Sequence, residues 1–261
     1  VLYESGQIEE AFAHYEDAIL KDPNCKYLEK LGDVCNELRR WYRAVQVYQQ
    51  ILKQSPKLGR VMHKLGRALL ENNREEEAFA VLRQAIQIKD NNSNSRVCVG
   101  RIYRRRSAFQ DALESFQRAV ELDQNNVESF YWWSAMLFDR GEFLEALSHA
   151  QKAVELDSER VRNRLICSKA LGALGRYKEA LDVLEPCLSA ATPSVDVLLT
   201  YSEMCRNSNL EDKGIDVLGV FLKRFPRQPQ IRAEYGVLLV QAGRLKDAKE
   251  FLQPPGHVPS A

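Results

Sequence analysis

The 261-residue sequence has no long apolar run, no excess of charge of one sign, no Cys-x-x-Cys pair and no catalytic histidine motif. No segment approaches the roughly 18–20 consecutive apolar residues needed to cross a bilayer, so we predict no membrane span. The 37 Lys and Arg residues nearly match the 36 Asp and Glu residues. A net charge of +1 gives no global attraction to nucleic acid or anionic lipid. Any preference for a charged partner must therefore be local.

The six cysteines include no Cys-x-x-Cys pair and no histidine at metal-ligand spacing. This pattern argues against a zinc site or a redox motif, and we expect no metal or other cofactor. Cys35, Cys167, Cys187 and Cys205 fall on predicted core positions, where a thiol acts as a small hydrophobic side chain. Because free thiols are typical of reducing compartments, we expect a cytoplasmic protein or one from another reducing compartment.

Catalytic motifs are missing as well. The sequence contains no Gly-rich phosphate loop, no His-Glu-x-x-His and no nucleophile elbow, and its four histidines are widely scattered. We therefore expect no enzymatic activity in these residues. The sequence begins at Val1, partway through a pattern that later recurs in full, so we expect a piece of a longer protein.

What the sequence does contain is an internal repeat. An alanine within a short acidic string recurs after 33 residues and then at intervals of 34. The residues in this anchor column are Ala11, Ala44, Ala78, Ala112, Ala146, Ala180, Gly214 and Ala248. Twelve residues earlier lies a second column of small residues: Gly32, Gly66, Gly100, Ser134, Ser168, Ser202 and Gly236. Small residues in both columns predict two helices per repeat whose backbones approach closely.

Apolar spacing and turn residues support paired helices. Between 127 and 160 the apolar residues step by three or four, which is typical of two amphipathic helices. Gly141, Gly175 and Gly243 occupy the column between the helices and suit the left-handed backbone that ends a helix. Arg39, Asn73, Ser107 and Asn209 replace glycine in that column elsewhere, and we expect those four turns to be less well formed.

These columns, together with the Leu-Gly pairs at 31–32 and 65–66 and prolines near several repeat ends, resemble the tetratricopeptide repeat family. The resemblance implies an all-α fold, a right-handed superhelical solenoid of antiparallel helix pairs. It places six full repeats at 25–58, 59–92, 93–126, 127–160, 161–194 and 195–228. A truncated repeat would occupy 1–24 and a partial final repeat or capping helices 229–252. The Pro-rich segment 253–261 is predicted to be a flexible tail.

Several residues depart from the family pattern. Asp90, Gln124, Ser158 and Thr192 replace the proline at repeat ends. Gly214 replaces an anchor alanine, and Arg96 and Arg164 stand in a column that is normally bulky. We expect local differences in packing at these positions.

The resemblance also implies that the first helix of each repeat lines a concave groove. The residues it places there in the middle repeats are Arg60, His63, Arg67, Asn94, Arg101, Arg104, Arg105, Tyr131, Phe138, Arg162 and Lys169. Most are basic, so we expect a protein or peptide partner, with an acidic one favoured by bidentate contacts from arginine. Alternatively, Arg104-Arg105-Arg106 complements a helix dipole and the other basic residues are solvated surface. No repeat carries the Lys and Asn pair of chaperone-tail-binding members, so we expect no such clamp.

Aromatic residues are densest at Phe130-Tyr131-Trp132-Trp133. Phe130 and Trp133 fall on core columns, whereas Tyr131 and Trp132 project from other faces. Exposed aromatic residues are enriched at the centres of protein interfaces, so these two are a candidate hot spot.

We therefore expect an interaction scaffold that binds a peptide or helix and assembles a multiprotein complex. One alternative is a targeting or substrate-binding arm of a larger enzyme. Another is a helical-repeat nucleic-acid binder, which the near-neutral charge disfavours. Self-association also stays open, because the truncated first repeat would expose an apolar helix face.

Overall fold

The computed structural model describes residues 8–22, 27–88, 92–190 and 192–252. Within these ranges the chain forms fifteen α-helices and no β-strand, which confirms the all-α prediction. The chain divides into two compact halves, Val1–Trp132 and Trp133–Ala261.

In the N-terminal half the helices are α1 (Ile8–Lys21), α2 (Leu28–Glu37), α3 (Trp41–Gln54), α4 (Gly59–Glu71), α5 (Glu75–Ile88), α6 (Ser93–Arg105) and α7 (Phe109–Leu122). Helix α8 (Val127–Asp139) contains the boundary between the halves. In the C-terminal half they are α9 (Phe143–Leu156), α10 (Val161–Ala173), α11 (Tyr177–Leu188), α12 (Val195–Asn207), α13 (Glu211–Arg224), α14 (Pro229–Gln241) and α15 (Leu245–Leu252). The limits of the repeats remain a prediction, and the predicted tail at 253–261 lies outside the described residues.

Each half is a stack of helix pairs. In the N-terminal half, consecutive helices from α1 to α7 pack against one another, and α4 also contacts both α2 and α6. In the C-terminal half, α12 contacts α10 and α14 in the same way. The first helices of neighbouring pairs therefore lie side by side within each half. Apolar residues spaced by three and four fill the space between the helices, as in Leu31, Leu65 and Leu69.

The two columns of small residues are buried, as predicted. All the anchor alanines are almost or completely inaccessible to solvent. A Cβ added to Gly100 would lie 2.6 Å from the Phe116 ring, and Cβ atoms on Gly32 and Gly66 would collide with Tyr48 and Leu82. In these three pairs, a large side chain on the second helix occupies the space that glycine leaves on the first.

The turns that lack glycine form the same structure as those that have it, so the prediction of less well-formed turns is wrong. Arg39, Asn73, Ser107 and Asn209 adopt φ values of 55–58°, in the same left-handed region as Gly141, Gly175 and Gly243 at 74–80°. The hydrogen bond that closes each turn is also kept. The Ala108 N–H donates to the Tyr103 carbonyl at 2.9 Å, and the Glu142 N–H donates to the Leu137 carbonyl at 3.0 Å. This six-to-one bond outweighs the strain of a left-handed non-glycine residue.

Two departures from the family pattern have packing reasons. A Cβ at Gly214 would lie 2.8 Å from the Leu238 side chain, so Leu238 takes the place of the anchor methyl group. The Arg164 guanidinium donates to the carbonyls of Ser158 and Val183 at 2.7 and 3.2 Å. Arg232, two repeat periods of 34 residues further on, donates to the carbonyls of Pro226 and Phe251. An arginine in this column thus bridges two backbone segments.

The described cysteines are free thiols, and Cys35, Cys167, Cys187 and Cys205 are buried as predicted. Burial raises the pKa of the Cys35, Cys167 and Cys205 thiols to about 11. Thiols with a raised pKa are poor nucleophiles, which agrees with a packing role. None of the described helices combines the length and apolar character that a membrane span requires.

Candidate functional site

The first helices of the N-terminal half present a charged face in which acidic and basic residues are paired across neighbouring repeats. Arg60 on α4 contacts Glu29 on α2 at 2.7 Å, and Lys64 bridges Glu29 and Asp33 at 2.9 and 2.7 Å. The hydrogen bond from Arg60, together with Lys64, holds the pKa of Glu29 below its ordinary value. The cations of α4 at this end are therefore neutralised within the chain.

A similar pairing neutralises the basic residues that end α6. Arg106 contacts Glu75 and Glu76 at 2.9 and 2.7 Å, and Arg105 lies 3.8 Å from Glu75. Much of the basic charge predicted for the groove is thus matched by carboxylates of the preceding repeat. Such exposed pairs contribute little stability, but they reduce the net field that a partner would meet.

Arg101 is held in a different environment. Its Nη2 contacts Glu71 at 2.7 Å, and its guanidinium carbon lies 4.4 Å from the centroid of the Trp132 ring. The side chain is only 11% exposed. Its Nε is buried and has no hydrogen-bond partner among the described residues. A guanidinium stacked on an indole is a strong, geometrically defined contact, and it fixes both side chains.

Trp132 is the centre of this group. Its Nε1–H donates to Glu128 at 3.1 Å, the Arg104 guanidinium carbon lies 5.7 Å from its ring, and the Tyr131 ring meets it edge-on at 5.1 Å. The partly buried indole therefore contacts two arginines, a tyrosine and a glutamate.

Arg67 adds an uncompensated charge next to this group. Its side chain is exposed and makes no ion pair with any described residue. Burial raises the pKa of the Cys98 thiol, and the charges of Arg101 and Arg67 oppose that shift. Arg67 occupies the position in α4 that Arg101, 34 residues later, occupies in α6. We call Arg67, Arg101, Arg104 and Trp132 the arginine–tryptophan cluster. Arg67 is the member of this cluster that forms no ion pair with a described residue.

Two other predicted groove residues are already bonded within the N-terminal half. The His63 ring lies 3.3 Å from the Ser95 hydroxyl, and burial, with the charges of Arg67 and Lys64, lowers its pKa to about 4. The Asn94 side-chain carbonyl accepts a hydrogen bond from Asn126 at 2.8 Å. His63 is therefore neutral at physiological pH, and both residues connect neighbouring repeats.

The remaining predicted groove residues lie in the C-terminal half. The Phe138 ring packs against Phe143 at 5.3 Å, Arg162 is partly buried, and Lys169 is exposed. In this half the corresponding face contains more apolar side chains, including the exposed Val237 and Val240. The charged cluster is thus a feature of the N-terminal half.

Sequence reasoning named Trp132 as a candidate hot spot but missed the carboxylates that balance the groove and the ion pairs of Lys64. A signal was present, because Glu29 and Arg60, Asp33 and Lys64, and Glu75 and Arg106 are each 31 residues apart. An offset three residues short of the repeat period brings side chains on neighbouring repeats together. Within the described ranges, no group of His, Cys, Asp and Glu residues could hold a metal ion.

Comparisons with known families match three segments of the chain. Profiles described as tetratricopeptide repeat match residues 1–59 and 59–92. A profile described as "Anaphase-promoting complex, cyclosome, subunit 3" matches residues 105–187. No curated protein sequence matches the chain significantly.

Solved structures share the helical-repeat solenoid fold. The APC/C hetero-tetramer Cut9-Hcn1 aligns over 91% of this chain with a TM-score of 0.74 and 15% identity, and this chain spans 47% of that one. A tetratricopeptide repeat protein from Parabacteroides merdae aligns over 91% of this chain and 94% of its own length, with a TM-score of 0.63 and 12% identity. YrrB, titled a TPR protein with an unusual peptide-binding site, aligns over 77% of this chain and all of its own, with a TM-score of 0.57 and 18% identity. At these identities the likeness shows the fold alone.

Proposed function

Because the chain is a tetratricopeptide repeat protein, and thus a scaffold for contacts between proteins, we propose that it binds a segment of a partner protein at the arginine–tryptophan cluster. Proteins of this family are generally non-enzymatic. The observation that carries the proposal is the Arg101 guanidinium, stacked on Trp132 and bonded to Glu71, beside an exposed Arg67 that forms no ion pair with a described residue.

The charges of the cluster indicate what the partner segment contains. Since the basic residues at Arg60, Lys64 and Arg106 are matched by carboxylates, a uniformly acidic peptide would meet little net attraction along the face. One carboxylate placed opposite Arg67 would be enough to fix the register. A flat or apolar group of the partner would then rest on the exposed parts of Tyr131 and Trp132. We therefore propose a peptide or helix with a short acidic stretch next to an apolar residue.

The matched profile of an anaphase-promoting complex subunit supports a place in a multiprotein assembly. We propose that the chain works as a subunit that holds a partner within such an assembly, in a reducing compartment that keeps its buried thiols free. Association of two copies of the chain remains a further proposal, and the partner capture described next would detect it as recovery of the chain itself.

The test is quantitative capture of partners by the tagged chain, followed by mass spectrometry. Arg67→Glu with Arg104→Glu should reduce recovery of the main partners by about tenfold or more, because two cations at an interface centre are reversed. The matched control is Arg83→Glu with Arg118→Glu, which makes the same charge change on the second helices α5 and α7. Equal recovery with both double variants would refute the cluster as the binding site.

Two other functions are separated by the same experiment. A targeting arm of a larger enzyme would recover a catalytic subunit or its substrates through the cluster. A nucleic-acid binder would instead recover its partners only through RNA or DNA, so nuclease treatment before capture would abolish recovery. We favour a protein partner because the arginines of the face are largely paired with carboxylates, which leaves no continuous basic track for a phosphate backbone.

A further inference from the structure

An exposed serine follows three arginines at the end of α6. Arg104, Arg105 and Arg106 immediately precede Ser107, which lies in the turn between α6 and α7. The Ser107 N–H donates to the Arg104 carbonyl at 3.0 Å, so the serine lies one turn after Arg104. Among the described residues, no other exposed serine has arginine at both the second and the third position before it. This turn therefore combines an accessible hydroxyl with a local concentration of positive charge.

The fold does not require this combination of residues. In the other described repeats, the position of Arg105 is occupied by Glu37, Glu71, Asp139, Ala173, Asn207 and Gln241. The position of Ser107 is occupied by Arg39, Asn73, Gly141, Gly175, Asn209 and Gly243. All of these residues stand in turns with the same left-handed backbone. The arginines and the serine are thus features of one repeat rather than of the scaffold.

Arginines placed before a serine are a recognition signal for one class of enzyme. A protein kinase with an acidic substrate groove selects such a serine, because each guanidinium forms charge-assisted hydrogen bonds with carboxylates of the groove. Arg104 and Arg105 stand three and two residues before Ser107. We infer that Ser107 is a phosphorylation site for an arginine-directed protein kinase that uses ATP.

The chemical step is an ordinary phosphoryl transfer. The Ser107 Oγ forms a bond to the γ-phosphorus of ATP, and the bond between that phosphorus and the oxygen shared with the β-phosphate breaks. ADP leaves, and the hydroxyl proton passes to the catalytic carboxylate of the kinase.

The end of α6 has to open for this transfer, since a kinase binds its substrate segment in an extended conformation. Helix ends and turns open more readily than a packed core. Ser107 strains the closed turn, because its φ is 57° without its being glycine. Arg105 is 43% exposed and lies 3.8 Å from Glu75, so this ion pair holds the helix end only weakly.

The surroundings of Ser107 also suit the product. A phosphoserine carries about 1.5 to 2 negative charges at pH 7 and accepts bidentate hydrogen bonds from arginine. It competes with Glu75 and Glu76 for Arg105 and Arg106, which now pair with those carboxylates. Helix α7 begins just beyond Ser107, and the positive end of its dipole favours an anion there.

The consequence of the modification rests on the proposed function. Arg104 belongs to the arginine–tryptophan cluster, and its guanidinium carbon lies 5.7 Å from the centre of the Trp132 ring. A phosphate one turn away lowers the positive potential that a carboxylate of the partner meets at the cluster. Phosphorylation of Ser107 therefore weakens partner binding.

The probe is the catalytic subunit of cyclic-AMP-dependent protein kinase with ATP and Mg²⁺, acting on the purified full chain. Mass spectrometry of the intact chain and of its proteolytic peptides should show one phosphate, on Ser107. Ser107→Asn should abolish it without disturbing the turn, because asparagine has the same backbone at Asn73 and Asn209. Arg105→Gln should slow the transfer by about tenfold or more, since one recognised guanidinium is lost.

A synthetic peptide of residues 101–110 separates recognition of the sequence from access in the folded chain. Both the peptide and the chain should be modified. Modification of the peptide alone would overturn the site, and so would a phosphate placed mainly on another residue of the chain.

Partner capture then separates the regulation from the proposed function. The phosphorylated chain should recover about threefold less of the main partners than the untreated chain, whereas kinase treatment of the Ser107→Asn chain should change nothing. Full recovery by the phosphorylated chain, with loss in the Arg67→Glu, Arg104→Glu chain, would overturn the regulation and leave the cluster in place. Full recovery by both chains would instead refute the cluster, and the phosphate on Ser107 would still be read directly by mass spectrometry.

Discussion

Single residues in the turns carry backbone strain that the fold tolerates. Ser107 and Arg39 have a left-handed backbone without being glycine, with φ values of 57° and 55°. The strain costs about 1–2 kcal/mol per residue. It is offset by the hydrogen bonds of the turn, such as that from the Ala108 N–H to the Tyr103 carbonyl. The sequence predicted weaker turns here because it was read by residue type alone. Residue type does not reveal the tertiary contacts that hold both helices in place.

Replacing Ser107 with glycine should raise the free energy of unfolding by about 1 kcal/mol, because the Cβ that strains the left-handed backbone is removed. Arg39→Gly should act in the same direction. The reciprocal change, Gly141→Ser, should lower stability by a similar amount. Urea denaturation of the three variants against the wild type measures these differences. A destabilised Ser107→Gly chain would contradict the strain assigned to this turn.

His63 should make stability depend on pH. Its pKa is lowered from 6.5 to about 4 in the folded chain by burial and by Arg67 and Lys64. As the pH falls, the unfolded chain therefore takes up this proton before the folded chain does. The contribution of neutral His63 to the free energy of unfolding is fully present above pH 6.5 and is lost as the pH drops towards 4. The loss amounts to about 3 kcal/mol at most. Unfolding measured from pH 7 to pH 4 should show a shallower decline for His63→Leu than for the wild type. Parallel declines would show that His63 is not held neutral.

Helix pairs are the scale at which the sequence was most informative. The columns of small residues predicted where the helices cross closely. A small residue at the same place in every repeat leaves few other ways for the two helices of a repeat to pack. Pro186 did not reveal that α11 would be shorter than its equivalents, nor that a pocket would open beside α13. A helix ends where the free energy of adding one more turn is close to zero. A comparison of residue columns does not give that free energy.

The crossing of α6 and α7 tests this packing directly. Gly100→Ala places a Cβ against the Phe116 ring and should destabilise the chain by about 1–3 kcal/mol through overpacking. Adding Phe116→Leu should recover part of the loss, since the smaller side chain makes room. Gly59→Ala is the matched control, because no atom lies within 4 Å of the added Cβ. Thermal melting of the four chains gives the comparison. Equal melting of the Gly100→Ala and wild-type chains would mean that the crossing is looser than described.

On the scale of the whole molecule, the sequence predicted a basic groove from residue type and expected position. The structure adds that carboxylates of the neighbouring repeat neutralise much of it, as Glu29 does for Arg60. Pairing of this kind depends on the offset between stacked repeats, which the repeat period alone does not give. What remains is a small positive surface in the N-terminal half, built on Trp132, and a separate apolar pocket in the C-terminal half.

The most direct test of a binding role for the arginine–tryptophan cluster is hydrogen–deuterium exchange of the chain with and without its main captured partner. We predict slower exchange in α4, in α6 and in the segment of α8 up to Trp132, where the cluster lies. Protection confined to the second helices α5 and α7, with α4 and α6 unchanged, would contradict the account.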